Sequence, residues 1–144
     1  MIKIVCAGKL KENYLKDACL DYIKRINKYH KLEVIELKEE KTIDIEGEKM
    51  LKLAKGDALI CLDPKGKKLS SPEFARVIDK TFMENGNITF IIGSSLGISE
   101  KLKNKSNLVL SFSDLTFPHG LFRLILLEQI YRAFKINNNE TYHK

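Results

Sequence analysis

Short apolar runs alternate with amphipathic segments along the whole chain, and this alternation restricts the possible folds more than any other feature. Five runs rich in aliphatic residues end in turn-forming or charged residues, and each predicts a strand. They cover residues 2–7, 32–37, 58–62, 88–92 and 107–112. Helical spacing or helix-start signals between them predict helices over about 12–29, 44–54, 70–83 and 119–134. The sequence therefore predicts one α/β domain over residues 1–144, with a mostly parallel sheet and helices on both faces.

Three loops follow strands that read as central in this sheet, and they mark the expected ligand site. Ligands of open α/β sheets bind outside the carboxyl ends of the strands. The loops are residues 62–66, 93–97 and 111–119. In the first, Asp63-Pro64-Lys65-Gly66 predicts a turn, because Pro fixes φ and Gly permits a positive φ. We expect the three loops to converge on one site.

The second and third loops each have an ordinary structural interpretation beside the functional one. Gly93 and Gly97 lie four positions apart after a strand, but the loop lacks a GxGxxG motif and no Walker lysine follows. Two such glycines are more typical of a tight turn, although they also let a backbone approach a flat ligand closely. The third loop is rich in hydroxyls, which either bind a ligand's polar edges or simply cap the last helix.

The last helix carries more apolar surface than one face can hide. Its apolar residues are Leu121, Phe122, Leu124, Ile125, Leu126, Leu127, Ile130, Tyr131 and Phe134. A helix that is apolar nearly all round is buried on more than one side. This pattern favours a homodimer with the last helix at the interface. The alternative is a central helix packed within one subunit.

The charge balance of the chain is basic, with a net charge of +6, which fits a polyanionic partner such as nucleic acid. The alternative is that lysine is simply abundant, since 21 of the 25 basic residues are Lys. Two lysine clusters are candidates for phosphate contacts: Lys65, Lys67 and Lys68, and Lys101, Lys103 and Lys105. Exposed lysines more often form only a solvated surface.

The three cysteines, Cys6, Cys19 and Cys61, are too widely spaced for a zinc site and odd in number. The absence of a CxxC pair suits the reducing cytoplasm. Cys6 and Cys61 fall inside predicted strands, where burial is expected. No stretch approaches ~18 apolar residues and no signal peptide is recognisable. We therefore expect a cytoplasmic protein with no metal and no membrane segment.

Several motifs, densest in the last third of the chain, carry a resemblance to a known family. They are Phe117-Pro118-His119, Arg123, the run from Leu127 to Phe134, and the terminal Tyr142-His143-Lys144. Ala7-Gly8-Lys9-Leu10-Lys11, Leu62-Asp63 with Gly66, and Leu69-Ser70-Ser71 with Phe74-Ala75 extend the likeness over nearly the whole chain. Together they resemble the RlmH (YbeA-type) branch of the SPOUT methyltransferases. Without this resemblance, such a C-terminal tail would be expected to be frayed.

The resemblance implies an α/β fold with a C-terminal trefoil knot, a homodimer, and S-adenosylmethionine as cofactor. It also implies methylation of N3 of a pseudouridine in 23S rRNA of the assembled 70S ribosome, without a metal. The implied cofactor-binding residues are Leu62, Gly93, Ser94, Gly97, Ser113, Asp114, Leu115, Thr116, Phe117 and Pro118. The implied catalytic residues are Arg132, Tyr142 and His143, and the candidates for RNA binding are His119, Arg123 and Lys144.

Each implied catalytic residue has an expected role in methyl transfer to a nitrogen that carries a proton. His143 is expected to take or relay that proton, and Tyr142 to stack on or orient the target base. Arg132 is expected to stabilise negative charge developing on the base. In a dimer, the tail of one subunit would lie over the cofactor of the other.

The sequence departs from the family pattern in its glycine loop and at its last residue. The family usually has a second Gly where Ser94 stands, and a polar residue where Leu96 stands. A positive φ at Ser94 would cost of order 1 kcal/mol and weaken cofactor binding. Lys144 stands where many relatives have Arg, and a lysine cannot make a bidentate phosphate contact.

Two other functions compete with the methyltransferase prediction. One is a non-catalytic RNA-binding or ribosome-associated protein on the same fold, its cofactor loop degraded at Ser94 and Leu96. The other is a nucleotide-binding α/β protein, which the absent phosphate-binding motif disfavours.

Overall fold

The computed structural model describes all 144 residues, which form five strands and five helices. The strands are β1 (Ile2–Ala7), β2 (Leu32–Leu37), β3 (Ala58–Lys68), β4 (Ile88–Ile92) and β5 (Leu108–Ser111). The helices are α1 (Asn13–Ile26), α2 (Ile43–Leu53), α3 (Ser71–Glu84), α4 (Glu100–Lys105) and α5 (His119–Asn137). All pairs of neighbouring strands are parallel, in the order β2-β1-β4-β3-β5. The predicted α/β fold with a parallel sheet is confirmed.

Helices cover both faces of the sheet, as predicted, because side chains alternate along each buried strand. On β4, Phe90 packs in one core cluster with residues of α1, α3 and α5. Its neighbour Ile91 packs in the other cluster with residues of α2 and α4. Cys6 and Cys61 are buried on opposite faces, so their predicted burial is confirmed. None of the helices is long and apolar enough to span a membrane.

The strand before the third loop, β5, lies at an edge of the sheet, so the prediction that all three loops follow central strands is wrong for this one. β5 pairs only with β3. Its Leu108 and Val109 nevertheless pack against the core clusters on the two faces. Because both faces are covered, the apolar composition of β5 resembles that of a central strand.

The predicted turn at Asp63–Gly66 is wrong in its backbone conformation but marks a real irregularity. Leu62 and Lys67 both pair with Leu110, so the four residues between them leave the ladder as an extended bulge within β3. Gly66 is not among the glycines with positive φ. It is needed for close packing instead, because a Cβ there would lie 2.7 Å from the backbone of Leu110.

The last helix, α5, packs against α1 and α3 within the same chain. Most of its apolar residues are buried there, among them Leu126, Leu127 and Ile130. The structure therefore agrees with the second interpretation of the sequence, a central helix packed within one subunit. This packing accounts for most of the apolar surface of α5. Leu121 remains 37% exposed and Leu124 half-buried. A homodimer through this side of α5 stays a prediction.

The start of α3 lies near residue 70, as predicted, and a capping box fixes it. The Ser70 side chain accepts from the N–H of Glu73 at 3.2 Å, and the Glu73 carboxylate accepts from the N–H of Ser70 at 2.9 Å. This reciprocal pair is a capping box, followed by Pro72 in the first turn. It fixes the residue at which α3 begins after the long strand β3.

Replacing Ser70 with Ala is expected to lower the free energy of unfolding by about 1 kcal/mol, because the Glu73 N–H loses its acceptor. Urea denaturation followed by circular dichroism measures this change. Ser70→Thr keeps the hydroxyl and is the matched control, expected to retain most of the stability. Equal stability of Ser70→Ala and the parent chain would contradict this role of the cap.

Candidate functional site

The three predicted loop segments converge at one edge of the sheet, where the bulge of β3 and the carboxyl ends of β4 and β5 surround a cavity of about 560 Å³. A cavity of this size accommodates a cofactor-sized ligand. Nine residues singled out from the sequence line it: Leu62, Gly93, Ser94, Gly97, Ser113, Leu115, Thr116, Phe117 and His119. The predicted convergence of the loops is therefore confirmed. We call this space the cofactor cavity.

Asp114 and Pro118, which the family resemblance placed in the cofactor site, are not among the residues lining the cavity. The Asp114 carboxylate is exposed and forms an ion pair with Lys68. Pro118 precedes the first residue of α5 and has an extended backbone. Within the same loop, the Ser113 hydroxyl accepts from the N–H of Leu115 at 2.9 Å. The ion pair of Asp114 joins the third loop to the end of β3, and the Pro118 carbonyl accepts from the N–H of Phe122 at 2.9 Å.

The glycine loop depends on a close approach of its two ends. A Cβ at Gly93 would lie 2.5 Å from the carbonyl oxygen of Gly97, so only glycine fits there. Gly97 itself has a φ of +86°, a conformation that L side chains rarely adopt. Ser94 does not have a positive φ. The presence of serine at this position therefore causes no backbone strain.

Every polar group of Ser94 already has a partner inside the chain. Its N–H and hydroxyl donate to Oε1 of Glu46, at 3.2 and 2.9 Å. Its carbonyl accepts from the N–H of Gly97 at 2.9 Å, and its hydroxyl also accepts from the N–H of Leu96. Ser94 therefore contributes shape to the cavity wall and no free hydrogen-bonding group.

Glu46, which sequence reasoning missed, lies behind this wall with only 2% of its surface exposed. It stands in the first turn of α2, where an acidic residue looks like ordinary compensation of the helix dipole. No sequence signal marks its burial, because the helix pattern alone does not say which side of the first turn faces the glycine loop.

His119 lines the cavity at the first position of α5, and its Nε2 is buried without a hydrogen-bond partner. Burial lowers the pKa of the imidazole below its usual value, and the nearby charge of Arg123 lowers it further. His119 is therefore neutral at pH 7. Its Nε2 is thus an unsatisfied hydrogen-bonding atom beside the cavity.

Arg123, predicted to bind RNA, lies inside the chain with only 2% of its surface exposed. Nη1 lies 2.6 Å from a carboxylate oxygen of Glu36 on β2. Nη2 donates to the carbonyl of Gly8, just after β1, at 3.2 Å. The side chain ties α5 to the start of the chain and cannot reach a phosphate from there.

The cavity lining has an acidic character that contrasts with the basic net charge of the chain. It contains the carboxylates of Glu39 and Asp63 and no Lys or Arg. Asp63 is paired with Lys103 at 3.1 Å, whereas Glu39 forms no ion pair. A lining of this kind disfavours a phosphate ligand and suits one that carries positive charge.

The three predicted catalytic residues lie together at the carboxyl-terminal end of the chain. Arg132 contacts both carboxylate oxygens of Glu128, at 3.2 and 3.0 Å, and its guanidinium lies 4.8 Å from the centre of the Tyr142 ring. Its Nη1 is 3.1 Å from Nδ1 of His143. The hydroxyl of Tyr142 donates to Glu128 at 2.9 Å. We call these four residues the tail cluster.

None of the tail cluster lines the cofactor cavity of its own chain. Tyr142 is half-buried with its ring edge-on to Tyr131 at 4.9 Å, so this part of the tail is anchored and not frayed. Lys144 is exposed at the end. The sequence analysis assigned the tail and the three loops to one active site. Within a single chain, however, the tail cluster does not line the cavity formed by these loops.

Half of the lysines proposed for phosphate contacts are held in ion pairs. Lys68 is paired with Asp114, Lys101 with Glu48 and Lys103 with Asp63. The other three, Lys65, Lys67 and Lys105, are exposed and form no ion pair. Among the lysines of these two clusters, the exposed and unpaired ones are the better candidates for phosphate contacts.

Comparisons with known proteins agree with the resemblance drawn from the motifs. A family model described as "Predicted SPOUT methyltransferase" matches residues 1–143. Proteins named "Ribosomal RNA large subunit methyltransferase H" from Clostridium botulinum (strain Alaska E43 / Type E3) and Streptococcus pneumoniae (strain CGSP14) are 48% and 46% identical, each over 99% of both chains. The fold matches a "probable methylase family protein" from Haemophilus influenzae Rd KW20 with a TM-score of 0.60 at 13% identity, over 99% of this chain and 70% of that one. The predicted family is confirmed, and the chain belongs to the RlmH branch of the SPOUT methyltransferases.

Proposed function

We propose that this chain uses S-adenosylmethionine to methylate N3 of a pseudouridine in 23S rRNA of the assembled 70S ribosome, in the cytoplasm. Relatives of full length that are nearly half identical bear the name of a large-subunit rRNA methyltransferase. The observation that carries the proposal is the acidic cofactor cavity at the meeting point of the three loops.

The cavity fits S-adenosylmethionine in both size and charge. Its volume of about 560 Å³ lies in the range of cofactor sites. The sulfonium of the cofactor is positively charged, and the lining offers Glu39 and Asp63 but no Lys or Arg. His119 also lines the cavity, and its buried Nε2 has no partner within the chain. We therefore move His119 from the RNA-binding residues to the cofactor-binding ones.

The loops would hold the cofactor by shape and by backbone groups. Leu62 and Phe117 supply apolar surface on two sides of the cavity, and the close Gly93–Gly97 turn leaves room for a flat ring against the backbone. Ser113 and Thr116 bring hydroxyls to the lining. This division between apolar walls and a few polar groups is typical of sites that bind a nucleoside.

The tail cluster supplies groups suited to the acceptor base. Bound S-adenosylmethionine would provide the electrophilic methyl group. The hydrogen bond from Arg132 to Glu128 raises the pKa of the guanidinium, so Arg132 stays charged and can stabilise negative charge on the base. His143, exposed beside it, can accept the N3 proton. Tyr142 presents a ring for stacking on the base.

A homodimer is required by this proposal, because no residue of the tail cluster reaches the cavity of its own chain. The tail of a second copy would lie over the cavity and complete the site. The exposed Lys144, Lys65, Lys67 and Lys105 would contact rRNA phosphates. The trefoil knot of the C-terminal region belongs to the same proposal.

A non-catalytic RNA-binding protein on the same fold was the competing prediction, based on a degraded glycine loop. Ser94 adopts its conformation without a positive φ, and the cavity beside it is open and acidic. These features favour the enzyme. Mass spectrometry of 23S rRNA from cells with and without this gene tests the proposal, since the modified nucleoside should disappear with the gene.

Gly93→Ala is expected to weaken S-adenosylmethionine binding roughly tenfold or more, because the new Cβ would lie 2.5 Å from the Gly97 carbonyl oxygen and force the loop apart. Isothermal titration calorimetry measures the affinity. Gly86→Ala is the matched control, since a Cβ there meets nothing within 4 Å. Unchanged affinity in a folded Gly93→Ala variant would show that the cofactor binds elsewhere.

Deletion of residues 142–144 is expected to abolish methylation of 70S ribosomes while leaving S-adenosylmethionine affinity nearly unchanged, because the tail does not line the cavity. Mixing this variant with Gly93→Ala should restore activity. A mixed dimer contains one intact cavity facing one intact tail. Transfer of a radioactive methyl group to ribosomes lacking the modification measures both results. Full activity of the deletion variant, or no recovery in the mixture, would contradict the shared site.

A further inference from the structure

Glu46 is a buried carboxylate that no cation neutralises. Its Oε1 accepts two hydrogen bonds from Ser94, and Oε2 accepts one from the N–H of Glu40 at 3.4 Å. It takes part in none of the ion pairs of the chain, unlike the carboxylates of Asp57 and Asp63. A buried charge without a partner is unfavourable, so proteins that keep one commonly compensate it with a bound ligand or metal.

The position of Glu46 is fixed by close packing on both sides. The next residue, Gly47, lies so near the segment after the glycine loop that a Cβ there would be 2.4 Å from Oγ of Ser99. Ser99 is itself buried and caps α4 through the N–H of Leu102. The carboxylate is thus held against the wall of the cavity and is not free to turn toward solvent.

Glu46 lies directly behind the wall of the cavity. Ser94, which accounts for two of its hydrogen bonds, lines the cavity. At His119, on the cavity wall, burial and Arg123 lower the pKa of the imidazole, while Glu39, Glu36 and Glu46, in that order, oppose the decrease. Glu36 is neutralised by Arg123, and Glu39 is exposed to solvent, which screens its charge. Glu46 is the carboxylate of this region that is both buried and without an ion pair.

We propose that the buried carboxylate of Glu46 makes the cofactor cavity select the positively charged methyl donor over the neutral product of transfer. This inference rests on the proposed function, because it assumes S-adenosylmethionine as the ligand. S-adenosylhomocysteine has the same shape without the methyl group and without the sulfonium charge. Glu46 distinguishes donor from product by the charge on the sulfur. Ser94 lies between the Glu46 carboxylate and the ligand.

The size of the effect follows from Coulomb's law. At an effective dielectric constant of about 20, two unit charges about 10 Å apart change an affinity roughly tenfold. Methyl transfer removes the positive charge of the sulfonium. The negative charge of the Glu46 carboxylate then has no positive charge to compensate it. The product is therefore held roughly tenfold less tightly than the donor, which favours its replacement by a new cofactor molecule.

Calorimetry with the full-length parent chain and two variants tests the proposal, with S-adenosylmethionine and S-adenosylhomocysteine as the two probes. Glu46→Gln removes the charge but keeps an oxygen that can accept from Ser94. Glu48→Gln removes the same charge two residues along α2, from an exposed side chain paired with Lys101, and is the matched control. Circular dichroism and thermal unfolding confirm that each variant is folded.

The parent chain and Glu48→Gln are expected to bind the donor roughly tenfold more tightly than the product. In Glu46→Gln the two affinities should become similar, mainly because donor binding weakens. An unchanged ratio, or an equal loss for both probes, would overturn the proposal and leave Glu46 a purely structural role. Equal affinities in the parent chain would overturn it as well.

Two further outcomes are distinguishable from these. If the parent chain binds neither probe, the proposed function itself fails. If Glu46→Gln does not fold, the double variant Glu46→Met/Ser94→Gly removes the carboxylate and the hydroxyl that donates to it, and gives the same comparison of ratios.

Discussion

Parallel pairing of β3 with both β4 and β5 is the constraint on which the rest of the structure depends. It brings the carboxyl ends of three strands to one edge of the sheet, so three loops distant in sequence share one cavity. The bulge between Leu62 and Lys67 belongs to the same arrangement, because a Cβ at position 66 would lie 2.7 Å from the β5 backbone and only glycine fits there. The cavity is therefore a consequence of sheet topology, and loop sequence only decides what it binds.

The sequence predicts those features that local patterns control, and it fails where a contact joins distant segments. The strand runs, the start of α3 near residue 70 and the three loop segments follow from local patterns, although β3 continues to Lys68, beyond its predicted end at residue 62. Arg123 looks like a surface residue on a basic protein, yet its partners are Glu36 and the Gly8 carbonyl, far away in the chain. Glu46 resembles an ordinary acidic residue of a first helical turn. Only the folded chain shows that this turn faces the glycine loop.

The distribution of charge explains how a basic protein can contain an acidic cofactor site. The net charge of +6 resides in lysines on the surface, where it suits a polyanionic partner. The cavity lining excludes Lys and Arg, and behind it Glu46 stays buried and unpaired. Under the proposed function, a cationic donor and an anionic RNA would thus be attracted to different parts of one small domain. This separation prevents surface lysines from repelling the donor inside the cavity.

The tail cluster shows how the proposed dimer could complete its site at little entropic cost. Arg132 and Glu128 lie one turn apart on α5, and the Tyr142 ring and hydroxyl contact both of them. Arg132 is therefore positioned on a rigid helix, with the Tyr142 ring held against it, before any second copy arrives. Association then joins two preformed surfaces, a cavity on one chain and a cluster on the other. Because the cluster is already ordered, little ordering entropy would be lost in the proposed dimer.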